Sequence, residues 1–80
     1  MALENAKKIA TEYLNASELV IVSTKHTETH FVFFFDYPNA KTPTPSSPII
    51  LVDKHSGKAT DLMLPSPEGF SVLRRAVPYR

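Results

Sequence analysis

Apolar residues recur at three- and four-residue spacing through the first fifteen positions. Leu3, Ala6, Ile9, Ala10, Tyr13 and Leu14 make one stripe, and Glu4, Lys7, Lys8, Thr11 and Glu12 lie mainly off it. That period predicts an amphipathic helix over residues 2–15. Glu4 and Lys8 add a favourable i,i+4 pair with the acid on the N-terminal side. The helix should end across Asn15 to Ser17, where Asn and Ser side chains compete for backbone hydrogen bonds.

The period then changes. Leu19, Val20, Ile21 and Val22 are consecutive apolar residues, three of them β-branched, which predicts a strand over about 18–24 with apolar side chains on both faces. Lys25 to Thr29 is polar and reads as a hairpin loop. The run "HFVFFFDY", His30 to Tyr37, holds four of the five phenylalanines and predicts a second strand over 29–37. Strand side chains alternate, so the run divides into two faces. Phe31, Phe33, Phe35 and Tyr37 are expected under the first helix as core. His30, Val32, Phe34 and Asp36 point the other way.

Residues 38–48, "PNAKTPTPSSP", carry four prolines and suit neither a strand interior nor a helix. The stretch is either a plain connector or a semi-rigid loop with polyproline-like segments, which lose little entropy on binding. Ile49 to Asp53 predicts a third strand. "DKHSGK" is a turn signal: Gly57 can take the left-handed position, and Asp53 can accept backbone N–H groups. A fourth strand follows over 58–64, with Ala59, Asp61 and Met63 on one face and Thr60, Leu62 and Leu64 on the other.

Ser66 is a good N-cap, Pro67 suits the first helical position, and Glu68 meets the positive helix end. Phe70, Leu73, Ala76 and Val77 follow at helical spacing, Arg74 and Arg75 stand near the negative end, and Pro78 stops the element. This predicts a short helix over about 67–76.

The order implies a single α+β domain over residues 1–80. An N-terminal helix packs on a four-stranded antiparallel meander, and a short helix closes the chain. One long helix covers only one sheet face. The second face, with Val32 and Phe34, needs the C-terminal helix, the proline-rich loop or a partner to cover it.

Composition narrows the function. Nine Lys and Arg against eight Asp and Glu give a formal charge of +1, and the basic residues are scattered. Neither nucleic acid nor an anionic membrane is the expected partner. There is no cysteine, no apolar run of membrane-spanning length and no signal-peptide pattern, so a cytoplasmic protein is expected. His26, His30 and His55 fall in loops or at a strand start, without cysteines or an acidic cluster beside them, so no metal site is expected. Two glycines in all leave no nucleotide fingerprint, and no nucleophile elbow or acid–base pair is legible. The expectation is a protein without cofactor or catalytic activity.

Three stretches resemble the YrhB-like family of bacterial proteins, also called the immunity protein 35 family. They are the helix "ALENAKKIATEYL", the aromatic strand "HFVFFFDY", and "SSPIILVDKHSGKATDL" with its apolar strand and Val-Asp-x-x-x-Gly hairpin. His30 and Phe31 stand where the family tends to have Gly and Trp, and Ser46 and Ser47 where Gly-Asn is usual. The resemblance implies an immunity protein that binds a cognate bacterial toxin and blocks its active site or substrate surface. The expected contact residues are Phe34, Asp36 and Tyr37 with the loop Lys41, Thr42, Pro43, Thr44, Pro45, Ser46 and Ser47. An aromatic anchor beside a rigid loop suits an interface hot spot. The alternative is a small homodimer with a structural or chaperone-like role, burying the second sheet face against itself.

Overall fold

The computed structural model describes residues 1–39, 41–42, 47–62 and 66–79. The chain is α+β. Helix α1 (Leu3–Leu14) is followed by strands β1 (Val20–His26), β2 (His30–Asp36), β3 (Ile49–Asp53) and β4 (Ala59–Asp61), helix α2 (Pro67–Arg75) and a short strand β5 (Val77–Pro78). One sheet runs β4-β3-β2-β1-β5, with every neighbouring pair antiparallel.

Helix α1 ends as its sequence foretells. Asn15 takes the left-handed conformation at φ 52 and its N–H donates to the Thr11 carbonyl. Asn tolerates that conformation better than most non-glycine residues. Ala6 and Ala10, fully buried, bring the helix close to Phe31, Phe33, Phe35, Ile50 and Val52. Among the described residues these form the main core cluster under α1, and Leu3, Ile9, Leu14, Leu19, Ile21 and Ala59 close its margin.

Tyr37 departs from its expected place. It is 52% exposed, one residue past the end of β2. The alternation that buries Phe31, Phe33 and Phe35 stops with the strand, so parity no longer aims Tyr37 at α1.

Two boundaries also move. Lys25 and His26 belong to β1 rather than to a loop, because they pair with Val32 and Phe31. The turn is correspondingly tight, with the Thr27 N–H donating to the His30 carbonyl at 2.9 Å. The fourth strand shrinks to Ala59–Asp61, with the Leu62 N–H still donating to the Ile49 carbonyl; Met63 and Leu64 lie outside the described residues. The fifth strand was not expected. Proline is tolerated there because β5 is an edge strand.

The second sheet face is partly covered by the chain itself. Leu51 pairs with Val32 and so shares that face. Val32 is fully buried, and Gly69 and Val72 of α2 line a groove with Leu51 and Leu62. Helix α2 thus links β4 to β5 and meets this face at Leu51 and Leu62. The Ser66 side chain caps α2, accepting from the Gly69 N–H at 3.0 Å.

Candidate functional site

Two ends of the sheet gather groups of different chemistry. At one end β1 begins, β2 finishes and the proline-rich loop departs. Val20 pairs with Asp36, and the Asp36 carboxylate, 6% exposed, accepts the Tyr37 N–H at 2.7 Å. The Tyr37 side chain beside it is exposed. Beside it the register slips between Ile21 and Ser23, so Val22 is the extra residue of a bulge. Val20 and Val22 are 41% and 55% exposed. Among the described residues only the β5 segment meets the outer edge of β1: Pro78 and Val77 pair with Lys25 and His26, and the Tyr79 N–H donates to the Thr24 carbonyl. Val20 to Ser23 are left at the edge.

The expected contact residues divide. Tyr37, Lys41 and Thr42 are exposed, and Ser47 is partly buried. Phe34 is partly buried as well, with the Lys25 ammonium 5.6 Å from its ring centroid. Asp36 is buried, and its carboxylate accepts the Tyr37 N–H. Pro43, Thr44, Pro45 and Ser46 lie outside the described residues. Val20, Val22 and Tyr37 at this end are more exposed than Phe34, as are Tyr13, Phe70 and Val77 elsewhere on the chain. The unbroken apolar run Leu19 to Val22, longer than one sheet face uses, is the sequence feature that marks this segment.

The opposite end gathers polar and aromatic groups. The Lys54 ammonium donates to the Thr27 carbonyl at 2.6 Å, lies 3.0 Å from His26 Nδ1, and sits 5.0 Å from the Phe31 ring centroid. The Tyr79 ring packs edge-on against His26 at 5.1 Å and against Phe31 at 5.7 Å. Nothing local in the sequence marks Lys54 or Tyr79, whose partners are far along the chain.

On the other sheet face His30 Nε2 lies 3.7 Å from Asp53 Oδ2, and His30 Nδ1 is 2.8 Å from Thr29 Oγ1. This acid–imidazole–hydroxyl sequence has a catalytic look, but the first step is too long for a hydrogen bond. Asp53 has structural work instead. Its Oδ1 accepts the N–H groups of His55 at 2.7 Å and Ser56 at 2.9 Å, as expected from the turn sequence. The Ser56 and His55 N–H groups hold its carboxyl below the usual carboxylate range, with His30 assisting and partial burial opposing. Gly57 closes the turn at φ +76. No group of three His, Asp or Glu side chains suited to a metal occurs among the described residues. No helix there is long and apolar enough to cross a membrane.

The groove between α2 and the sheet holds about 250 Å³ and has an apolar floor of Leu51, Leu62 and Val72. No family model matches the chain, and no curated protein or solved structure matches it.

Proposed function

We propose that the chain is a protein-binding module without catalytic activity, and that it acts as an immunity protein blocking the active site or substrate surface of a cognate bacterial toxin. The carrying observation is the open surface at the start of β1, where Val20, Val22 and Tyr37 are each about half exposed beside a strand edge. Large apolar side chains that a small domain leaves in solvent at a strand edge invite aggregation unless something meets them. The exposed Lys41 and Thr42 extend the surface into the loop. The toxin identity in this reading comes from the three resembling stretches alone.

Co-expression with the toxin encoded beside it tests the proposal. Protected growth and a complex that survives purification are the expected results. Absence of both removes the toxin reading. A concentration-dependent dimer in light scattering, with no heterologous complex, replaces it with self-association through the same edge.

A further inference from the structure

We infer that His26 is a proton-sensitive latch that holds the C-terminal strap, Val77 to Tyr79, over the outer edge of β1. Among the described residues few other contacts hold the strap. Strand β5 is two residues long, both are exposed, and one is a proline without an N–H to give to the ladder. Its anchor is Tyr79, which donates its N–H to the Thr24 carbonyl and lays its ring against His26 and Phe31.

His26 stands between that anchor and a fixed cation. An ammonium has donors only, so the 3.0 Å approach of Lys54 Nζ to His26 Nδ1 uses the lone pair of a neutral imidazole. A proton on Nδ1 turns this acceptor into a donor and sets two cations face to face. One must move. Lys54 is tied by its ammonium to the Thr27 carbonyl at 2.6 Å, by its backbone N–H to the Thr29 carbonyl at 2.8 Å, and by the Phe31 ring. The His26 ring has Tyr79 against it and turns away, taking the edge-on contact with it.

The other charged groups nearby do not cancel this. Lys25, His30 and Asp53 belong by register to the opposite sheet face, and Glu28 is exposed in the turn. In acid the strap therefore loosens, and the edge of β1 that the described residues leave uncovered lengthens from Val20–Ser23 toward His26. The consequence for binding rests on the partner reading above; the switch itself does not.

The test is an NMR comparison of the full chain at pH about 7.5 and at pH about 5. The readouts are NOEs from the Tyr79 ring to His26 and Phe31, and the protection factor of the Tyr79 amide after correction for intrinsic exchange. Acid should weaken the NOEs and lower that protection at least about fivefold, while amides in β2 and β3 stay protected. His26→Gln keeps an acceptor for Lys54 and should hold the strap equally at both pH values. Unchanged NOEs and protection in the wild type overturn the latch, as does a His26→Gln chain with the wild-type pH dependence. Loss of the partner reading would show as failed complex formation at neutral pH with this NMR response intact.

Discussion

The Tyr13 hydroxyl donates to the Asp61 carboxylate at 3.2 Å, tying the last turn of α1 to the edge strand β4. The two residues are far apart in sequence, and both are exposed. Partial burial and the neighbouring carboxylate raise the Tyr13 pKa above the ordinary phenol value. A phenol with a raised folded-state value favours the fold while it is protonated. Its contribution is complete below the unfolded value and fades as pH rises through the folded one. Tyr13→Phe should lower the melting temperature slightly at neutral pH. The gap to the wild type should close in strongly alkaline buffer, as followed by circular dichroism melts.

Asp53 works in the opposite direction. Its carboxyl is held below the usual range by the Ser56 and His55 N–H groups, so the charged form favours the fold. That stabilisation is present above the unfolded carboxylate value and is lost as pH falls through the lower folded one. Asp53→Asn keeps an acceptor oxygen but removes the charge. The variant should be less stable than the wild type at neutral pH and should lose less stability on acidification. Urea midpoints from pH about 7 to about 3 measure both effects.

Gly57 carries the same turn with φ +76, and a Cβ built there meets Met1 Cε at 2.8 Å. The backbone term cannot relax, whereas the methionine tip can swing aside. Gly57→Ala should cost about 1–2 kcal/mol in urea unfolding. Gly57→Asn should cost less, because Asn visits the left-handed region more readily. Equal losses for the two would mean that the contact with Met1, not the backbone, sets the penalty.

The aromatic strand separates two classes of phenylalanine. Phe33 is fully buried between α1 and the sheet, so Phe33→Ala should cost about 3–5 kcal/mol, enough to unfold much of so small a domain. Phe34 points to the other face and is only partly buried beside the Lys25 ammonium, so Phe34→Ala should cost about 1–2 kcal/mol and leave a folded chain. Thermal melts of the two variants decide whether alternation governs this strand.

How far the sequence carries can be seen in these residues. Period-based reasoning placed α1, the two faces of Phe31 to Asp36, and the Asp53–Gly57 turn, because each depends on contacts or dihedrals within a few positions. It misjudged Tyr37, because parity says nothing once the strand has ended. It took Lys25 and His26 for loop, because polar side chains on a strand become legible only when their partners, Val32 and Phe31, are known. It stopped at Pro78 and missed β5, whose partner strand lies about fifty residues upstream. Tyr79 and Lys54 were likewise invisible, since their roles are tertiary.

The proposed binding surface can be probed without disturbing the core. Val22 is a bulge residue with its side chain in solvent, and Tyr37 lies past the end of β2, so neither supports the buried cluster around Phe33. Val22→Lys puts a charge on the strand edge, a device that discourages edge pairing. Tyr37→Ala removes the largest exposed ring at that end. Each single variant should melt within a few degrees of the wild type, because surface changes of this kind rarely shift stability by more than about 0.5 kcal/mol. Each should weaken partner capture at least about tenfold, as befits an exposed anchor at an interface centre. Lys8→Glu, on the exposed side of α1, is the control and should leave capture unchanged. Undiminished capture by the Val22→Lys, Tyr37→Ala double variant would move the binding surface away from the β1 edge.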